Sequence, residues 1–363
     1  MYLAHTQPGF EVIASQEIAA LKGASVRETR VLPAKNGLVF FDYQGDVQDL
    51  LALRTIEDVF EIVLNLRDMP PNYAALKQLQ EQVQRVPQLE RALQHARQLQ
   101  PGRGGHGKFR FRVVARQAGT ANFRRVDAQL AVEKGIAARS EHRWQQDPEG
   151  GLEFWLTMFH RSIRSVVKGD VVLALRLSDE RMRHREYQIE HLPASLRPSA
   201  AAALVWLTRP RENDSFLDPM CGAATILIER AYAGRYRMLL GGDNNPEALA
   251  IALTNIGPRY KPIELREWDA RQLPLDAGSI TASAVNLPFG SQIGSPEQNR
   301  SLYPAVLAEL ARVMRPTARL VLLSGDASTL ADAIRRARGW QDRGGSAVQI
   351  LGHPARVFVL ERV

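Results

Sequence analysis

"SFLDPMCGAATILIERA", residues 215–231, reads as a short apolar strand that ends on an acid, Asp218, and then turns through small residues, Cys221 to Ala224, into an apolar helix opening at Thr225. In open parallel α/β sheets a ligand sits beyond the carboxyl ends of the strands, over such a first turn, where the strand order reverses. Outward from this stretch the pattern repeats. "RMLLGGDNNPEALAIALTNI" (237–256) is a strand running into Gly241 and Gly242, then Asp243, then a helix with Pro246 near its start. A third strand, "IELREW" (263–268), runs into Asp269 and Ala270, and a fourth, in "SAVNLPFGSQIG" (283–294), ends on Asn286. Strand and helix patterns alternate from about residue 196 to the end, which predicts a doubly wound parallel sheet.

Four consecutive strands thus carry Asp218, Asp243, Asp269 and Asn286 at their carboxyl ends. Each alone is accounted for by helix capping; four on one rim exceed what capping requires. Asp243 follows Gly222 by 21 residues, close to the spacing at which an acid meets a ribose in nucleotide-binding sheets. A phosphate-binding Gly-x-Gly-x-x-Gly is missing, so the rim suits a nucleoside without pyrophosphate. S-adenosyl-L-methionine fits: its ammonium, ribose diol and adenine amine each want an acceptor. The fourth strand's Asn-Leu-Pro-Phe-Gly has two readings, an ordinary turn or an amide and a ring that hold a flat, amine-bearing substrate. These five residues alone leave both open.

The front half differs. "YLAHT" and "GLVFFDY" read as strands and "FEVIASQEIAAL" as a helix, giving a small α+β part over 1–66. A Gln-rich helical stretch (74–100) is interrupted at Pro87. "FRFRVVARQ" (109–117) alternates, so Phe109 and Phe111 should face a core while Arg110 and Arg112 face away. "FRRVDAQLAVEKGIAARS" is a helix starting beside Arg124 and Arg125. Of a net charge of +8, more than the whole excess lies between Arg85 and Arg143, with 13 Lys/Arg against four Asp/Glu. Such a segment is the footprint of a surface that meets phosphates, or else a solvated charged face. A charged linker (179–195) separates this half from the methyltransferase-like sheet pattern of 196–363.

Composition excludes several classes. With 45% hydrophobic and 24% charged residues the chain is globular. It holds no apolar run of about 20 residues and no basic start followed by an apolar core. Its one cysteine, Cys221, rules out an internal disulfide and a cysteine-rich zinc site. A cytoplasmic protein without a structural metal is expected.

The second half resembles the amino-methyltransferases whose fourth strand carries (Asp/Asn)-Pro-Pro-(Phe/Tyr). With "SLRPSAAAAL" (195–204), "DPMCG" and "NLPFG", nearly the whole chain resembles the THUMP-domain tRNA guanine-N2 methyltransferases. The resemblance implies a Rossmann-like class I methyltransferase domain (196–363) preceded by α+β ferredoxin-like (1–66) and THUMP RNA-binding (67–178) domains. It implies that Asp218 and the turn Met220, Cys221, Gly222, Ala223, Ala224 and Thr225 hold the methionine moiety of S-adenosylmethionine, Asp243 its ribose and Asp269 its adenine, with Ser195, Leu196, Asn244 and Ala270 beside them. Asn286 and the Leu287 carbonyl would accept hydrogen bonds from the guanine amine. Pro288 would shape the turn and Phe289 would stack on the base. Arg110, Arg112, Arg116, Arg124, Arg125, Lys168, Arg181 and Arg183 would meet tRNA phosphates. The family's turn usually reads Gly-Ser-Gly-Thr, whereas this one has alanine at the second glycine, a residue that disfavours positive φ. Two rivals stand beside tRNA methylation: guanine-N2 methylation of ribosomal RNA, and tRNA binding with a catalytically dead methyltransferase domain.

Overall fold

The computed structural model describes residues 1–363 apart from 33–34, 103–107, 164–165, 193–194 and 290–294, and apart from the side chains of 162–168. The described residues form two compact units. One comprises Met1–His5, Ile18–Leu53 and Asp58–Met182, the other Thr6–Glu17, Arg54–Glu57 and Arg183–Val363. Among them no helix is long and apolar enough to cross a membrane.

The first unit is built on one sheet of eight strands: β1 (Tyr2–Thr6), β2 (Ala24–Leu32), β3 (Asn36–Tyr43), β4 (Asp58–Met69), β5 (Phe109–Ala118), β6 (Trp144–Gln146), β7 (Leu152–Ile163) and β8 (Val166–Arg176). Their order is β2-β3-β1-β4-β8-β7-β5-β6, so strands from the first 69 residues and strands from 109–176 share one sheet through the antiparallel β4–β8 pair. Helix α1 (Glu11–Ala20) follows β1; α2 (Tyr73–Arg85), α3 (Gln88–Leu99) and α4 (Arg125–Ala137) come later. The Gln-rich stretch divides between α2 and α3 at Pro87, as expected of a residue without a backbone donor. Asn72 caps α2 by accepting the Ala75 N–H at 3.0 Å. Gly135 lets α4 approach α2, since a Cβ there would come within 2.7 Å of the Gln80 carbonyl. On β5 the alternation holds: Phe109 and Phe111 are buried, and Arg110 and Arg112 are at least partly exposed.

The second unit opens with α5 (Pro198–Leu207), apolar all round and buried accordingly. Its strands are β9 (Ser215–Asp218), β10 (Met238–Asp243), β11 (Ile263–Glu267), β12 (Ile280–Asn286), β13 (Met314–Ser324), β14 (Trp340–Ile350) and β15 (His353–Arg362), in the order β11-β10-β9-β12-β13-β15-β14. The first five are parallel, and β15 runs antiparallel to both neighbours. The chain goes outward from β9 to β11 and then returns to the other side of β9 as β12. That reversal makes the β9–β12 crevice the topological switch point. One apolar core lies against α5, α6 (Thr225–Tyr232) and α7 (Pro246–Ile256), the other against α8 (Pro296–Val313) and α9 (Ala327–Arg336). The expected strand–helix alternation stops short of the end, because β14 and β15 form a hairpin through Leu351 and Gly352, both at positive φ.

Two packing features of this unit were not foreseen. Residues Thr6–Glu17, read with the first 66, cluster here: Phe10 and Ile13 join the core and the Gln349 N–H donates to the Pro8 carbonyl at 2.9 Å. Apolar spacing identifies such a helix without saying which sheet it covers. Arg230 on α6 is fully buried and donates to Asp214 at 3.0 Å and to the carbonyls of Arg211, Gly234 and Arg235. Asp214 also accepts from the Arg211 N–H at 2.7 Å and from Thr281 Oγ1 at 2.8 Å, tying α6 to the loop that feeds β9.

Candidate active site

Strand register places the site. Asp218 stands opposite Gly241 on β10, and its neighbour Leu217 stands opposite Ser283 on β12. Asp243 and Asn286 therefore flank Asp218, each about two residues, roughly 7 Å, further along its own strand. With neighbouring strands about 4.8 Å apart, Asp243 and Asn286 bracket a gap on the order of 10 Å.

Asp218 is buried, and its one hydrogen-bond donor among the described residues is the Met220 N–H at 3.3 Å. Burial pushes its pKa up to about 8; the Met220 N–H works against this and the nearby Asp243 adds to it. Asp243 is half-buried and knits the first turn to β10: one carboxylate oxygen accepts the Gly222 N–H at 3.0 Å, the other the Asn245 N–H at 3.1 Å. Each oxygen keeps a lone pair for a hydroxyl. The Cys221 N–H donates to the Gly242 carbonyl at 2.8 Å, and burial, with Asp218 and Asp243 adding to it, drives the thiol pKa well up. A protonated, buried thiol is a packing group and no nucleophile. Gly222 and Ala224 both adopt positive φ, +50° and +64°. At Ala224 the left-handed backbone costs about 1–2 kcal/mol for a residue with a Cβ, offset by burial of its methyl in the core. Ala224 caps α6 with no side-chain hydrogen bond, so the helix's first N–H groups are left to face a ligand. A Cβ on Gly222 would meet only the Leu192 side chain, at 3.8 Å, so the space over the turn is open among the described residues.

The second wall is Asn286-Leu287-Pro288-Phe289; Gly290, the last residue of that motif, lies outside the described residues. The Leu287 N–H donates to the Leu323 carbonyl at 2.9 Å, continuing the β12–β13 ladder by one residue. The Asn286 side-chain oxygen is buried and has no hydrogen-bond partner among the described residues. Phe289 is half-buried with its ring on Gly325, where a Cβ would come within 2.8 Å of ring carbon Cγ. Behind the turn stand residues that sequence reading missed. The Tyr303 hydroxyl donates to the Pro288 carbonyl at 2.6 Å and pairs with Ser324 Oγ at 2.9 Å. The Asn299 amide donates to the same carbonyl at 3.4 Å and to Asp326 at 3.1 Å. Asn299 and Tyr303 are four apart on α8 and so share a face, the only trace of this role in the sequence.

Other expected residues are placed differently. Asp269 is two residues past the end of β11 instead of at it, 43% exposed, and its carboxylate is held by Arg271 at 2.6 Å, which lowers its pKa. Trp268 beside it is buried, donating to the Pro219 carbonyl at 3.0 Å, and its ring lies on Gly242. The side chains of Leu196, Ala223, Thr225 and Ala270 are buried, so from these positions the backbone is the group that meets a ligand. Ser195 closes its own turn, accepting the Leu192 N–H at 3.0 Å, and Asn244 is exposed.

Of the arginines assigned to phosphates, Arg110 pairs with Asp147 at 2.6 Å, Arg124 with Asp127 at 2.9 Å and Arg181 with Asp179 at 3.2 Å. Arg112 pairs with Glu153, its register partner on β7, which Arg176 also reaches at 3.3 Å. Arg116 lies over the Trp155 ring at 4.5 Å, and Arg125 donates to the Ala115 carbonyl at 2.9 Å. Lys35, unremarked in the sequence, sits near both: its pKa is lowered by burial first, then by Arg116 and Arg125. Arg183 is half-buried, and the Lys168 side chain lies outside the described residues. No group of three or more potential metal ligands occurs among the described residues.

Residues 185–355 match the RMKL-like methyltransferase domain family. The chain is 32% identical over 272 residues to the tRNA (guanine(6)-N(2))-methyltransferase THUMP3 of Bos taurus, an alignment covering 70% of this chain and 51% of that protein. It thus spans about half the length of the mammalian relatives it matches. Against the tRNA (guanine(6)-N2)-methyltransferase of Methanocaldococcus jannaschii it is 24% identical over 99% of both chains. Among solved structures, TrmN from Thermus thermophilus superimposes with a TM-score of 0.78 at 22% identity, over 100% of this chain and 99% of that one.

Proposed function

We propose, on the premise that this chain belongs to the family of THUMP-domain tRNA guanine-N2 methyltransferases, that it methylates the exocyclic N2 amine of a guanosine in tRNA, in the acceptor stem near position 6. S-adenosyl-L-methionine supplies the methyl group, activated on a sulfonium. Asp218 takes its ammonium, the backbone of Gly222 to Thr225 its carboxylate, and Asp243 its ribose diol. Asp269 reaches the adenine amine only while sharing its carboxylate with Arg271.

The observation that carries the reading is the unpartnered Asn286 oxygen at the switch point. A buried acceptor without a donor costs about 1–3 kcal/mol, a cost removed when a guanine amine arrives. That amine is a weak nucleophile because its lone pair is delocalised into the ring. Hydrogen bonds from its N–H groups to Asn286 and to the Leu287 carbonyl aim the lone pair at the methyl group, and orientation with local electrostatics lowers the barrier. Phe289 stacks on the base. Uncharged Asn286 takes no proton, so the amine's surplus proton leaves to water after transfer. A tRNA substrate places the enzyme in the cytoplasm. The test is nucleoside mass analysis of tRNA and ribosomal RNA incubated with the protein and the methyl donor. N2-methylguanosine should form in tRNA; methyl on ribosomal RNA alone, or on neither, would overturn the assignment.

Asp218 makes cofactor binding pH-dependent. Below about pH 8 its buried carboxyl is protonated, and an ammonium placed against it favours the carboxylate, so binding expels a proton. S-adenosylmethionine affinity should weaken as pH falls below 8, by up to about tenfold per unit. Calorimetry in buffers of different ionisation enthalpy should register the proton near pH 7, and Asp218→Asn should abolish it. Proton release that survives this change would remove Asp218 from the site. The sign for stability is opposite to that of an ion-paired acid. With the folded pKa raised from 3.8 to about 8, the contribution of Asp218 is full below 3.8 and is lost as pH climbs through 8.

Residues 67–178 are assigned the grip on RNA, with Arg116, Arg125 and Lys35 as its centre. Replacing Arg116 and Arg125 by glutamine should reduce the salt slope of tRNA binding by about 0.7–0.9 per lost contact. The same change at Arg110 and Arg112, whose charges Asp147 and Glu153 offset, should reduce it less. Equal slopes for both pairs, measured by filter binding across a salt series, would assign these charges to solvation.

A further inference from the structure

We propose that Tyr303 is a positioning residue for methyl transfer, its hydroxyl pinning the Pro288 carbonyl and thereby setting Asn286 and Phe289 at their working angles. The inference rests on the reading of Asn286 to Phe289 as the amine site. Two anchors bracket this turn: the Leu287 N–H on the Leu323 carbonyl, and the Pro288 carbonyl under the Tyr303 hydroxyl at 2.6 Å. Between them the backbone has little freedom. Proline holds φ near −65°, and a planar peptide moves as one body, so fixing the Pro288 carbonyl fixes the plane that leads into Phe289. Tyr303 is itself fully buried, and Ser324 Oγ, which also accepts the Asp326 N–H at 2.9 Å, holds the hydroxyl at 2.9 Å. Burial pushes the phenol up to about 12, with Ser324 working against it. The hydroxyl therefore stays protonated and remains a donor at any working pH. The alternative donor, Asn299, reaches the carbonyl only at 3.4 Å.

Because the carbonyl points away from the methyl donor and toward α8, Tyr303 touches no substrate. Its removal should change rate and leave affinity. Tyr303→Phe, which deletes one oxygen, should lower the single-turnover methylation rate of folded enzyme about tenfold, with dissociation constants for tRNA and S-adenosylmethionine within twofold of wild type. Asn299→Ala, which removes the weaker donor to the same carbonyl, should slow transfer about threefold with affinities likewise kept. A Tyr303→Phe enzyme that melts lower yet transfers methyl at the wild-type rate would reduce Tyr303 to a stabilising core residue. Loss of cofactor affinity equal to the loss of rate would also overturn the proposal. If Tyr303→Phe does not fold, a wild-type rate in Asn299→Ala overturns it. Asn286→Ala, measured alongside, separates the two levels: slow Asn286→Ala with normal Tyr303→Phe sinks only the positioning role, while normal rates in both sink the amine site as well.

Discussion

Asn286→Ala should slow methyl transfer to tRNA about a hundred- to a thousandfold, the cost of deleting one acceptor or donor aimed at a reacting group, while tRNA and cofactor affinities stay near wild type. This pattern identifies an interaction made mainly on the way to the transition state. The same substitution should leave stability unchanged or slightly raised, because it deletes a buried oxygen that lacks a partner among the described residues. Activity and stability thus move in opposite directions, which a structural asparagine would not do. Phe289→Ala contrasts with it: losing a stacking platform worth roughly 1–3 kcal/mol per base should weaken capture of the guanosine along with the rate. The penalty should be largest where the base must be drawn out of a paired stem. Single-turnover kinetics with a tRNA transcript and chemical unfolding of the same samples make the comparison. Wild-type rates in Asn286→Ala would reduce this stretch to a turn.

Asp214→Ala should be the most damaging substitution away from the site, destabilising the second unit by about 3–5 kcal/mol, since it strands the guanidinium of Arg230 without its carboxylate. Asp214 and Arg230 are 4% and 0% exposed at the side chain, so water cannot replace the lost partner. Three carbonyls remain around the guanidinium and soften the loss. Asp214→Asn, which keeps the hydrogen-bond geometry and removes the charge, should cost less. Denaturant unfolding followed at the second unit would check this, and a shift below about 1 kcal/mol for the alanine variant would contradict it.

The residues that declared themselves in the sequence did so through local pattern. Asp218 and Asn286 each end an apolar run before a small-residue or proline turn, and in both cases the strand ends where the pattern breaks. Asp269 follows a strand too, but Arg271 two residues on folds back onto its carboxylate, and the run of apolar residues does not record that competition. Arg110 and Arg112 were legible as one face of β5. Their neutralisation was not, because Asp147 and Glu153 reach them through pairing with β6 and β7, and register is a property of two strands. Tyr303 sits in an unremarkable helix, "SLYPAV", and acquires meaning only when α8 lies behind a loop 15 residues upstream. Cap, turn and alternation are readable from one segment; a partner supplied by another segment is not.

The bond between Pro8 and Gln349 also bears on how the protein is made. A ribosome releases the amino-terminal helix first and the strand that receives it nearly last. At about 5–20 residues per second, roughly 20–70 s separate the two. Through that interval Phe10 and Ile13 have no finished core to enter, although residues on both sides of them in the chain can already be forming the first sheet. The opening segment of the nascent chain is therefore a natural client for chaperones that shield apolar helices, and synthesis closes with the chain's end fastening its beginning.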